Sequence, residues 1–248
     1  MTIMKIRGGD LDLVEYDFSS FYPGEYLHTA DIPVDHEPYP TGDTIIARAP
    51  ARIHLSVLDM NRFSPGTPGG GGLGFAIQIY CDATVSCTDR DVIINSPRRL
   101  LIEHLVAAFK TVTGYSGGFV IKATDHGREH VGLGSTSTIA TALITAMNEA
   151  TGCPLSTENV RMLIGHNYVA ETEDDGKIAF GFETGVGSAA SIYGGMTFVG
   201  DRLTRICNHP FAEGKNVFIV IPKVHHEDNN AGPEEFTLLM NMARTLDY

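Results

Sequence analysis

HVGLGSTSTIATAL, residues 130–143, decides how the rest of the chain is read. Gly132 and Gly134 free the backbone for close approach. Ser135, Thr136, Ser137 and Thr138 follow, and then an apolar run without Pro or charge. Upstream, GGFVIKAT (117–124) alternates as a strand, so the order is strand, short loop, long helix. Two readings fit. In one, the free N–H groups and the dipole of the helix start hold a phosphate, with the hydroxyls donating to its oxygens or holding a metal. In the other, a serine N-cap starts a core helix. The stretch is not a Walker loop, because the lysine of that motif is missing, and it is not the dinucleotide fingerprint.

The 248 residues suit one large domain or two small ones. A formal charge of −12 argues against a nucleic-acid or membrane-surface binder, since both want a basic face. An anionic small molecule remains open, because a few backbone amides make a local positive site. Cys81, Cys87, Cys153 and Cys207 form no CxxC pair, and reduced, mostly buried thiols in a cytoplasmic protein are expected. The longest apolar runs are far short of a membrane span.

Residues 1–43 are rich in Tyr, Pro and Asp and lack a sustained period. They read as an extended arm with a short strand at 11–16, its aromatics packing on the domain or on a partner, or as a loose leader. From Thr44, TIIARAPARIHLSVLD alternates as a strand pair or one bent strand. AIQIYCDATVSCT (76–88), VIINS (92–96) and GGFVIKATD are further strands. Residues 98–114 show helical spacing closed by Gly114. Helices are expected at 137–150 and, from Ser156, over 156–173. SAASIYGGMTFVGD reads as a short helix then a strand, NVFIVIPK (216–223) as a buried strand, and GPEEFTLLMNMARTLDY as a helix with Pro233 at its start. Without regular βαβ alternation, the class is α+β.

The phosphate-loop stretch HVGLGSTS resembles the motif of the GHMP superfamily, the galactokinase, homoserine kinase, mevalonate kinase and phosphomevalonate kinase group. PARIHLSVLDMN (50–61) resembles that family's substrate-side strand, and TGVGSAASIYGG (184–195) resembles its segment of short helix and Gly-Gly. The resemblance implies a mixed sheet with helices on one side over 44–213, and at 214–248 the start of a C-terminal α/β domain that is truncated. Gly187 stands where the kinases usually carry the aspartate that helps deprotonate the substrate, and Arg52 stands where many carry a lysine. ARIHLSVLDMN with GGGGLGFAI, GVGSAASIYGGMTFVGD, and HPFAEGKNVFIVIPKV with GPEEF are similar to one branch, β-ribofuranosylaminobenzene 5′-phosphate synthase of methanopterin biosynthesis. That branch uses phosphoribosyl pyrophosphate, joins ribose C1 to the ring of a 4-substituted benzoate, and releases carbon dioxide and pyrophosphate. An ATP-dependent small-molecule kinase and a non-catalytic subunit of the same fold are the alternatives.

By resemblance, Gly132, Leu133, Gly134, Ser135, Thr136 and Ser137 hold phosphate, and Gly70, Gly71, Thr184, Gly185 and Gly187 surround the substrate. Mg²⁺ is the implied cofactor, with Ser135 and Glu171 (or Glu173) as metal residues; read alone, either glutamate fits better at a solvated helix end. Arg52 is a candidate clamp for a carboxylate or phosphate, or a surface ion pair. His54 shares its strand face and binds substrate or is a satisfied core histidine. Asp59 and Asn61 hold a metal or ribose hydroxyls, or make a turn. HHED (225–228) reads better as a polar loop than as a metal site. Phe180 and Glu183 replace the family's usual Arg and Thr, and Glu183 is expected to repel an anion. An apolar face of the unfinished domain is expected to be covered by a partner chain or a second copy.

Overall fold

The computed structural model describes residues 3–7, 13–17, 19–29, 31–59, 62, 66–127, 132–172 and 174–220. In chain order the elements are strands β1 (Ile3–Arg7) and β2 (Leu13–Asp17), β3 (Thr44–Val57), β4 (Gly72–Thr88), β5 (Val92–Ile93), helix α1 (Arg99–Thr113) and β6 (Gly118–Thr124). They continue with α2 (Ser135–Ala150), α3 (Thr157–His166), β7 (Val169–Glu171), β8 (Ile178–Phe180), α4 (Val186–Tyr193), β9 (Met196–Val199) and β10 (Arg205–His209). The architecture is α+β, with a mixed sheet whose axis is β4. β3 pairs antiparallel with β4 along one edge, while β9 and β6 share the other edge. β5 joins β6 in parallel and β10 joins β9.

Alternation explains the main core. Cys81, Ala83 and Val85 of β4, with Phe119, Ile121 and Ala123 of β6, point to one face and are fully buried. α1 and α2 close that face with Ile102, Leu105, Phe109, Leu143, Ile144 and Met147. α2 is buried nearly all round, as its apolar sequence requires.

β3 is one bent strand rather than two. Pro50 pairs with Tyr80 but Arg52 pairs with Ala76, so the register shifts there. Beyond the shift Ala51 joins Phe75, Ile77 and Leu133 in a second, smaller cluster. Arg52 and His54 thereby turn toward the starts of α2 and α4, and Gly72 and Gly74 lie bare under Val186 of α4.

The arm packs on the domain. Phe21 exchanges two backbone hydrogen bonds with Ile178, and the amides of Asp35, Tyr39 and Thr41 donate to the carbonyls of Pro154, Thr151 and Ala150. The strand expected at 11–16 is Leu13–Asp17, in a hairpin with Ile3–Arg7.

Several boundaries differ from the sequence expectation. The 92–96 strand is only two residues long, because Asn95 is left-handed and Ser96 bonds back to the carbonyl of Ile94. The helix expected over 156–173 ends at His166. There the Asn167 amide takes the Leu163 carbonyl and ties it to His28 in the arm, and Val169 enters a hairpin with β8. Residues 216–220 form no strand: only Ile219 packs on the smaller cluster, while Phe218 and Val220 are 87% and 88% exposed. No described strand flanks the run to bury it on both faces. The remainder of that run, the C-terminal helix and HHED lie outside the described residues. β10 carries no strong alternation and was not anticipated. All four cysteines are free, but Cys153 and Cys207 are exposed rather than buried. Among the described residues no helix is long and apolar enough to cross a membrane.

Candidate anion site at the start of helix α2

α2 begins two residues before the expected point, and its N-cap is Gly134, in the left-handed conformation with no side-chain cap. The serine-capped reading therefore does not describe this helix. Thr138 N–H donates to the Gly134 carbonyl and closes the first turn. Among the described residues no carbonyl accepts from the amides of residues 135–137, which is the arrangement that favours an anion. Leu133 is 2% exposed and anchors the loop in the smaller cluster, while the Arg52 amide donates to its carbonyl.

Glycine suits position 134 for its backbone, and a side chain there would also push Arg52 from its place. Its φ is +68°, and a β-carbon would collide with the Arg52 guanidinium. Arg52 Nη1 donates to the Gly132 carbonyl at 3.0 Å, while its Nε is buried without a partner. A cation thus lies across the positive end of a helix, and one of its donors is unused. Both features favour a bound anion.

Gly187 comes to the same place. An ideal β-carbon there would stand 2.5 Å from Ser137 Oγ and 3.9 Å from Arg52 Nε. The small residue does not leave room for a ring beside its α-carbon; the Ser137 side chain fills that space.

Three participants were not singled out for the anion site from sequence. Arg98, left-handed at φ 53° as the N-cap of α1, donates from Nη2 to Ser135 Oγ at 2.8 Å. The Tyr168 phenol hydrogen-bonds with Thr136, and burial holds its pKa above the usual range. Glu183 was noted only as a replacement that would repel an anion. It is buried, and its Oε1 accepts from Gly185 N–H at 2.5 Å. Burial raises its pKa, against the Gly185 N–H and the charges of Arg52 and Arg161. The carboxylate is thus committed to the turn before α4 and flanked by guanidinium charge. Phe180 seats the arm, with ring centroids 4.8 Å from both Phe21 and His28.

The other candidates are spread out. His54 Nε2 hydrogen-bonds the Ser56 carbonyl at 3.0 Å, and burial, then Arg52, lower its pKa to about 4. It is neutral at pH 7 and satisfied by its own strand. Asp59 sits in an exposed turn paired with Arg62 at 3.4 Å. Gly70, Gly71 and Gly185 support close packing around Val199–Leu203: the Gly70 amide donates to Asp201, Gly71 abuts the Val199 carbonyl, and Gly185 abuts Leu203. Thr184 Oγ1 accepts from the Val186 amide. Glu171 is exposed on β7, and Asn61 and Glu173 lie outside the described residues. Ser135 Oγ already receives a guanidinium N–H, which opposes a dication at that oxygen. Among the described residues no cluster of three His, Cys, Asp or Glu is placed to hold a metal. The residues present do not fit the expected Mg²⁺ at Ser135 and Glu171.

A cavity of about 620 Å³ lies apart from this site, between the arm at Glu37–Pro40 and the end of α1 at Thr113–Gly117. None of the anion-site residues lines it.

Residues 100–195 match the family model described as the GHMP kinases N terminal domain, which spans α1, the α2 loop and α4. No curated protein matches. Among solved structures, a mevalonate kinase from Methanococcus jannaschii is 13% identical, with 70% of this chain and 58% of that chain covered and a TM-score of 0.48. A homoserine kinase from Cytophaga hutchinsonii is 17% identical, with coverage of 64% and 49% and a TM-score of 0.45. A mevalonate diphosphate decarboxylase from Staphylococcus aureus is 18% identical, with coverage of 65% and 49% and a TM-score of 0.42. The chain spans about half the length of these structures.

Proposed function

We propose that the chain is the anion-binding part of an enzyme similar to β-ribofuranosylaminobenzene 5′-phosphate synthase, transferring phosphoribosyl from its pyrophosphate to a 4-substituted benzoate. One observation carries the reading: Gly187 packs against Ser137, and the unpartnered Arg52 Nε lies 3.9 Å from where a side chain would start. A kinase acting on a hydroxyl wants a carboxylate at that position as base. Here a carboxylate would displace Ser137, and the guanidinium it would pair with is left for the ligand's own anion.

The proposed chemistry needs no such base. The C1–O bond to pyrophosphate breaks as the ring carbon bearing the carboxylate attacks C1. Carbon dioxide then leaves, and the electron pair of its C–C bond restores the aromatic ring, so no proton has to be removed. The amides of residues 135–137 stabilise the charge developing on the pyrophosphate, and Arg52 orients an anionic group of the substrate. Mg²⁺ would neutralise pyrophosphate charge as part of the substrate complex; no step here is assigned to a protein-bound ion.

The match of residues 100–195 to a kinase family model favours a second reading, an ATP-dependent small-molecule kinase. Carboxyl-labelled 4-aminobenzoate or 4-hydroxybenzoate with phosphoribosyl pyrophosphate separates them. Release of labelled carbon dioxide supports the synthase, and ATP turnover without it supports the kinase. Activity only after a co-purifying protein is restored would point to a subunit of a complex. The exposed side chains of Val217, Phe218 and Val220 keep a covering partner or second copy within the proposal, as is a cytoplasmic location.

A further inference from the structure

We propose that Arg98 is a positioning residue of the anion site, one that makes the Ser135 hydroxyl a hydrogen-bond donor to the ligand instead of a metal ligand. The inference rests on the anion reading of the site, not on which reaction uses it.

A serine hydroxyl has one proton and two acceptor lone pairs. Arg98 Nη2 occupies one lone pair at 2.8 Å, so the proton turns elsewhere. Deeper in α2 such protons are taken by the helix: the hydroxyls of Thr138 and Thr141 donate to the Gly134 and Ser137 carbonyls at 2.8 Å each. Ser135 is the first residue of α2, and among the described residues no carbonyl takes its hydroxyl proton. Its proton is available to an oxygen lying over the amides of residues 135–137. The same guanidinium sets an unfavourable field for a dication on that oxygen.

Arg98 carries two marks of a residue held for function rather than folding. It is left-handed, at φ 53° and ψ 48°, a conformation that disfavours a side chain, and it makes no side-chain cap to α1. Its Nε is buried without a partner. Glycine would suit the backbone better, so the arginine is kept for what its head reaches, and that is Ser135.

The test titrates the full chain with inorganic pyrophosphate by calorimetry, with and without Mg²⁺, for the wild type, Arg98→Gly, Ser135→Ala and the double variant. Thermal midpoints are recorded alongside. Arg98→Gly is expected to keep or raise the midpoint, because glycine relieves the left-handed strain. Each single variant is expected to weaken binding about tenfold, with or without Mg²⁺. The double variant is expected to be no weaker than either single, since both remove the same donor. Additive losses, wild-type affinity in Arg98→Gly, or a fall in its midpoint would each overturn the proposal. Ser135→Ala leaves the strained backbone alone and gives an independent reading: a loss seen only with Mg²⁺ makes Ser135 a metal ligand and also overturns it. A wild type that fails to bind pyrophosphate removes the anion site and this role with it. A wild type that binds beside an unaltered Arg98→Gly removes this role alone.

Discussion

At position 187 the missing side chain is already accounted for by its neighbours. Gly187→Asp should overpack against Ser137 and cost roughly 1–3 kcal/mol, measured as a lower urea midpoint. It should also weaken pyrophosphate binding, because the new carboxylate would take the Arg52 guanidinium. Adding Ser137→Gly should restore stability but not binding, which separates packing from charge. His104 gives the pH dependence. It is fully buried, accepts the Gly24 N–H on Nδ1 at 3.2 Å, and is held down to about 4 by burial and then by His28. His166 is lowered by the same causes. An unfolded histidine takes a proton below about pH 6.5. Between there and about 4 the unfolded chain therefore binds a proton that folded His104 does not, and stability falls as pH falls, by roughly 1.4 kcal/mol per unit for that group. Denaturant midpoints from pH 7 to 5 should show this slope, and His104→Gln should flatten it. At this scale the loop was legible, because glycines and hydroxyls adjacent in sequence reveal a helix start. Arg98 and Tyr168 were not, because their roles exist only once distant segments meet at α2.

Among the elements, α3 tests local capping most directly. The Ser156 side chain accepts the Asn159 amide, so Ser156→Ala should cost about 1 kcal/mol in thermal or urea unfolding. The start of α3 was readable for that reason, as was the end of α1, where left-handed Gly114 returns its amide to Lys110. The end of α3 was not readable. Asn167 stops the helix by bonding His28 in the arm, a partner far away in the sequence. The 216–223 run shows the opposite failure: apolar residues imply burial, yet burial needs a neighbouring element, and no described element covers Phe218 or Val220. The bend in β3 was seen only as an ambiguity between one strand and two. Its consequence, placing Arg52 on the helix side, comes from the register with β4.

Over the whole molecule, the described stretch of the arm from Phe21 to Thr41 is built into the domain. Phe21 lies in the main core with Phe180 and His104 against its ring. Phe21→Ala should cost roughly 3 kcal/mol, read from the urea midpoint. A variant with unchanged stability would mean that the arm's packing contributes nothing. The seat of the arm also sets an order of events. Phe21 waits for Ile178, and Asp35, Tyr39 and Thr41 wait for residues 150–154. On the ribosome, the arm is made before the residues it docks on and is therefore among the last segments to settle, with its tyrosines and prolines open to proteases and chaperones in the meantime. Nascent chains halted before residue 178 has emerged should be clipped within the arm, and those halted well beyond it should be protected.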